Sequence, residues 1–173
     1  MAAAASVICE ALAGVTEPWC LSNFSFLRGA SHPEELVERA RTLGYAALAV
    51  TDECSMAGIV RAHVAAKEAG LKLLVGSQFA ACDEPCTFVV LATSLAGYGN
   101  LCQFITRLPR ASAKGSYRME AGELFAADLA DCLVLAAPDR KATDGQLHAI
   151  AARLQAAFAG RAWLAVHLRR VLG

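Results

Sequence analysis

Few side chains in this sequence are placed to do chemistry. Asp52 and Glu53 are adjacent carboxylates in the polar run Thr51-Asp52-Glu53-Cys54-Ser55, Cys20 lies in Trp19-Cys20-Leu21, and Gln78 closes Gly76-Ser77-Gln78. Carboxylates, thiols and imidazoles that converge can hold divalent metals and activate water for hydrolysis. Adjacent carboxylates cannot easily aim at one ion from a regular strand, and no imidazole stands near them. His32 falls in a helix start, His63 inside a helix, His148 near a helix N-terminus and His167 at the end of the last strand. The expected roles are therefore plain ones: Asp52 caps the helix that follows, and Glu53 is solvated or supports the dipole of its first turn. Cys82 and Cys86 are the only close cysteine pair, and without two further ligands nearby they read as two loop thiols. No phosphate-cradling glycine loop or dinucleotide fingerprint is present, and Gly97-Tyr98-Gly99 is too short to be one.

The elements that must position these residues alternate between strand and helix. A short strand around Trp19 to Leu21 runs into a polar turn with Ser22, Asn23, Ser25 and Gly29. Ser31-His32-Pro33-Glu34 then reads as a helix start, with Ser31 as cap, Pro33 in the first turn and Glu34 closing a capping box. Leu36, Val37, Ala40 and Leu43 recur at helical spacing until Gly44. Tyr45 to Val50 is a continuous apolar run, the pattern of a strand buried on both faces. A helix over 56–69 follows, with Met56, Val60 and Val64 as its inward stripe and Gly70 as its stop. Leu71 to Val75 is the third strand and Thr87 to Ala92 the fourth, with Asp83-Glu84-Pro85 as a turn between them. A helix over 95–108 is closed by Pro109. Arg107, Arg110, Lys114 and Arg118 make the most basic segment, read as a solvated loop. A short helix over 119–125, a strand over 132–137, an amphipathic helix with Leu147, Ile150, Ala151, Leu154 and Phe158 inward, and a strand over 162–168 complete the order. Strand ends in such α/β folds are where sites gather, here 20–25, 51–55 and 76–78.

Composition narrows the class further. Of 173 residues, 56% are hydrophobic and 18% charged, which excludes a disordered chain. Sixteen basic and sixteen acidic residues give no net charge, so the basic excess of a stand-alone nucleic-acid binder is missing. Seven scattered cysteines point to a reducing, cytoplasmic setting rather than a disulfide scaffold. Residues 1–16 read as an Ala-rich lead-in without the basic start of a signal peptide. No stretch approaches the roughly 18 apolar residues of a membrane span. Little chain remains after the last strand to cover it, so the expectation is an α/β domain occupying 17–173 that stops before its sheet closes.

The runs that carry a resemblance are Cys20 to Val37 (CLSNFSFLRGASHPEELV), Gly44 to Ser55 (GYAALAVTDECS), Ala65 to Lys72 (AAKEAGLK) with Gly76-Ser77, Gly97 to Cys102 (GYGNLC) and Lys114 to Tyr117 (KGSY). Over about Trp19 to His167 the chain resembles the start of the PHP (polymerase and histidinol phosphatase) domain. The branch it is most similar to stands at the N-terminus of error-prone relatives of the bacterial DNA polymerase III alpha subunit. The resemblance implies a distorted seven-stranded, mainly parallel βα barrel. In active members a His-x-His ends the first strand, an Asp-His the second, and a Glu follows the third; together these hold metals for phosphoester hydrolysis. Carried over one position at a time, they fall on Trp19, Leu21, Asp52, Glu53 and Gln78, of which only Asp52 keeps the family's residue type. Error-prone members usually keep the first His and the later Glu, so this chain departs even from them.

The resemblance thus implies a PHP segment with a degenerate metal site and a structural role in an error-prone polymerase engaged in damage-induced translesion synthesis. It implies no catalytic residue and no cofactor for this chain, with Mg2+ confined to a polymerase core elsewhere. DNA, deoxynucleotides, a sliding clamp and damage-response accessory proteins would be partners of the longer enzyme. The alternatives are a stand-alone metal-dependent phosphoesterase, which the missing His residues disfavour, and an inactive truncated product.

Overall fold

The computed structural model describes residues 15–110 and 116–165. Six strands form one sheet in chain order: β1 (Thr16–Cys20), β2 (Ala47–Val50), β3 (Lys72–Ala80), β4 (Cys86–Ala92), β5 (Cys132–Pro138) and β6 (Ala162–Leu164). The helices are α1 (Pro33–Thr42), α2 (Ile59–Ala69), α3 (Leu95–Arg110), α4 (Ala121–Phe125) and α5 (Asp144–Ala157). Pairings β1–β2, β2–β3 and β5–β6 are parallel, whereas β4 is antiparallel to both of its neighbours. Five strands therefore share a direction, and the sheet curls as a half barrel. Among the described residues, no helix is long and apolar enough to cross a membrane.

Alternation along the strands sorts the core. Leu48 and Val50 pack with Val37 and Ala40 of α1 and Ile59, Ala62 and Ala66 of α2. Phe88, Val90, Cys132, Val134 and Ala136 pack with Leu101, Phe104 and Leu108 of α3, Leu124 of α4, and Ile150 and Leu154 of α5. The opposite face carries Ala49, Val89, Leu91 and Leu133, with Trp19, Leu74 and Leu135 packed against them. All four residues of β2 are buried, as a strand covered on both faces must be.

Several expected boundaries move. β1 begins at Thr16, three residues before the expected strand. β3 continues to Ala80, so Gln78 lies within a strand rather than beyond its end. The cause is the hairpin: β2 leaves off at Val50 opposite Val75, but β4 pairs Gly76 with Leu91, Gln78 with Val89 and Ala80 with Thr87. The cap of α1 is His32, not Ser31. The residue before a proline is driven to extended backbone, and His32 lies at ψ 152° with its N–H donating to the Glu35 carboxylate at 2.8 Å. Glu35 thus closes the box in place of Glu34, while the Ser31 carbonyl accepts from the Asn23 N–H at 2.8 Å.

The inward stripe of α2 is Ile59, Ala62 and Ala66; Val60 and Val64 are 70% and 51% exposed. The small side chains are the ones that let α1 and α2 approach, so size alone pointed to the wrong face. Gly70 ends α2 in the left-handed region at φ 65°, as expected. α3 takes Pro109 into its last turn, since proline's own φ is helical. α5 starts at the Thr143 cap, with Gln146 N–H donating to Thr143 Oγ1, and buries Ile150 and Leu154 as the spacing implied. Lys114 and His167 lie outside the described residues.

Candidate functional site at the strand ends

The first strand end is a folded loop, residues 21–31, that doubles back onto β2. Ser25 is its hub. The Ser25 carbonyl accepts the N–H groups of Arg28 and Gly29, each at 2.9 Å, and Ser25 N–H donates to the Ser22 carbonyl at 3.0 Å. Gly29 passes so close to the Ser22 carbonyl that a Cβ there would sit 1.9 Å from its oxygen, which leaves room for no other residue.

Asp52 is buried beneath this loop. Its carboxyl group accepts Ser22 N–H at 2.8 Å, Ser22 Oγ–H at 2.6 Å and Ser25 Oγ–H at 2.7 Å. Its own carbonyl accepts Ser77 Oγ–H at 2.7 Å and Gln78 N–H at 3.2 Å. The expected capping role is thereby corrected. Asp52 does not cap α2, whose N-cap is Gly58; it ties the first loop to the end of β2. The reason is reach: the loop brings three donors to the carboxyl group before the next helix begins.

Glu53 is not simply solvated either. It accepts from the Arg28 guanidinium and from Tyr117 Oη–H at 2.8 Å, and its N–H donates to Ser25 Oγ at 2.9 Å. Tyr117 also accepts Ala80 N–H at 2.9 Å. Burial, reinforced by the Glu53 carboxylate, pushes its phenol above the usual range. Across the sheet, Trp19 Nε1–H donates to Gln78 Oε1. Gln78 is buried, and its Nε2 has no hydrogen-bond partner among the described residues. Leu21 is half-buried and contributes no ligand atom. Burial, then Glu17 and Asp52, push the Cys20 thiol up to about 11; burial and Glu53 push Cys54 up to about 12. Neither is a thiolate at neutral pH, so neither is primed as nucleophile or ligand.

The fold gathers Trp19, Leu21, Asp52, Glu53 and Gln78 at one sheet end, but they do not fit a metal. An indole N–H is a donor only, the Gln78 carboxamide oxygen is taken by that indole, and both carboxyl groups already receive protein donors. Among the described residues no three His, Cys, Asp or Glu side chains group as metal ligands. His32, His63 and His148 are exposed, and none of them is bonded to Trp19, Asp52, Glu53 or Gln78 among the described residues. His32 Nδ1 meets Asn23 Nδ2 at 2.9 Å, and His148 Nδ1 bonds the Asp144 carbonyl at 2.8 Å. Cys82, in the hairpin turn, is exposed and Cys86, the first residue of β4, is buried, and Arg118 Nε–H donates to Cys82 Sγ at 3.3 Å. What sequence reasoning missed are Ser22, Ser25, Arg28 and Tyr117, the partners that consume the carboxylates. Their signal was buried-polar residue types in a loop, which only the folded loop turns into an address.

Comparison with known proteins gives a consistent picture. The profile of the PHP domain matches residues 20–165. The chain is 51% identical over 160 residues to the error-prone DNA polymerase of Methylococcus capsulatus, covering 92% of this chain and 15% of that one. It is 50% identical over 153 residues to that of Dechloromonas aromatica, covering 86% and 14%. The chain thus spans about 15% of the length of these curated relatives. Two solved structures share the fold. One is described as a metal-dependent phosphoesterase from Bifidobacterium adolescentis (TM-score 0.61, 21% identity, covering 80% of this chain and 74% of that one). The other is an amidohydrolase from Chromobacterium violaceum with bound sulfate and no metal (TM-score 0.67, 16% identity, covering 83% and 74%).

Proposed function

Because the chain belongs to the PHP domain family, we propose that it is the PHP segment of an error-prone DNA polymerase and serves that enzyme as a structural module without chemistry of its own. The observation that carries the reading is the half-identical match to polymerases bearing that name over nearly the whole chain. The absence of chemistry rests on the strand-end network. Trp19, Asp52, Glu53 and Gln78 are spent on one another's elements and on Ser22, Ser25, Arg28 and Tyr117. Where a metal would cross-link three strand ends, this chain joins them through an indole–carboxamide pair, a serine–carboxyl knot and an ion pair. Nucleotidyl transfer, its Mg2+, and contacts with DNA, deoxynucleotides, a sliding clamp and damage-response proteins then belong to the remainder of a longer cytoplasmic enzyme acting in DNA repair.

Primer extension by the polymerase expressed from its complete reading frame tests this proposal. Synthesis past a template abasic site, undiminished by Asp52→Asn in a protein that still folds, is the expected outcome. An enzyme that makes no DNA, or one whose nuclease activity tracks Asp52, contradicts it.

A further inference from the structure

The loop that Asp52 holds down lifts two large apolar side chains into solvent. Phe26 is 84% and Leu27 90% exposed, with Phe24 beside them partly exposed. Isolated exposed apolar residues are common on soluble proteins, but these are consecutive and stand on a braced loop. Ser25 Oγ is tied to Asp52, and Arg28 to Glu53. Asn23 N–H donates to the Ser31 carbonyl, and Gly29 lies against Ser22. Leu27 itself is held at φ 61°, a left-handed conformation that a branched side chain adopts only when its surroundings enforce it. A tip fixed in this way loses little freedom on being covered.

We propose that Phe26 and Leu27 form a docking knob, and that its occupant is an apolar socket in another part of the same, longer polymerase chain. The inference rests on the polymerase reading above. Size selects the occupant. A free partner or a second copy held in solution needs roughly 20–30 residues a side, whereas this tip offers three. A tethered partner reaches a millimolar effective concentration, at which so small a contact suffices. The matched relatives supply such a tether, since this chain accounts for 15% of their length. The rim fits as well, because the neighbouring Arg28 is already neutralised by Glu53 and brings no unpaired charge to an apolar socket.

The test replaces Phe26 with photoreactive p-benzoylphenylalanine in the polymerase expressed from its complete reading frame. Irradiation followed by peptide mapping is expected to give an intrachain cross-link to a peptide outside residues 1–173. Phe26→Ser with Leu27→Ser in the same protein is expected to speed proteolytic release of the N-terminal segment several-fold. Val60→Ser with Val64→Ser, also exposed apolar residues but on α2, is expected to leave release unchanged. A cross-link to a second copy or to a separate protein overturns the proposal, as does no cross-link at all in a polymerase that makes DNA. A long chain that makes no DNA instead sinks the polymerase reading on which the inference rests.

Discussion

Deleting the Asp52 carboxyl group strands three donors at once: Ser22 N–H, Ser22 Oγ–H and Ser25 Oγ–H. Each unsatisfied buried group costs on the order of 1–3 kcal/mol. Asp52→Ala is therefore expected to lower the unfolding free energy by about 3 kcal/mol or more, read from urea denaturation. Trp19→Phe should cost about 1–3 kcal/mol for a related reason, because it removes the donor that satisfies the Gln78 carbonyl oxygen in a buried site. The thiols give a pH signature. Cys20 and Cys132 are pushed up to about 11, and Cys54 and Cys86 up to about 12, in each case chiefly by burial. A raised native value means that the unfolded chain loses its thiol protons first. The stability these groups contribute is thus intact below about pH 9 and is lost as pH climbs through 11 to 12. Native-state labelling at pH 8 should modify exposed Cys82 first and these four slowly. A Cys54 that reacts as fast as Cys82 would contradict its partly buried position against the core cluster of Phe79 and Phe104.

At the level of elements, the first loop and the α1–α2 pair are the sensitive joints. Gly29→Ala forces a Cβ against the Ser22 carbonyl, so the loop must open, at an expected cost of roughly 1–3 kcal/mol in thermal or chemical unfolding. Ala62→Leu should cost a similar amount by wedging α1 from α2, whereas Val60→Ser should change stability by less than about 0.5 kcal/mol. Much of this scaffold was legible in the sequence. The apolar run ending at Val50 announced a doubly buried strand, and Gly70 announced a helix stop. The direction of β4 was harder to read, because the apolar run over 87–92 looks the same either way up. The usable clue was the connection from Ala80 to Cys86, far too short for a parallel crossover. The α2 stripe misled because Ala62 and Ala66 look bland beside Val60 and Val64, although close helix packing prefers the smaller pair.

For the whole molecule, sequence and structure divided the work differently. The resemblance assigns its five family positions to Trp19, Leu21, Asp52, Glu53 and Gln78, and the fold places those residues at one sheet end. Their present partners were not legible, because the Trp19–Gln78 pair spans 59 residues and the Glu53–Tyr117 pair spans 64. Nothing local in the sequence ties such residues together; only the order of β1, β2 and β3 and the return of residue 117 to the end of β3 do. The outcome is a PHP fold whose strand ends hold one another directly. The most direct check is metal content together with chelator response, measured on the chain purified without added metal. The expected result is less than one zinc or manganese per chain and an unfolding midpoint unmoved by EDTA or by excess Mn2+. Two or more metals per chain, with a midpoint that falls when they are stripped, would contradict the account.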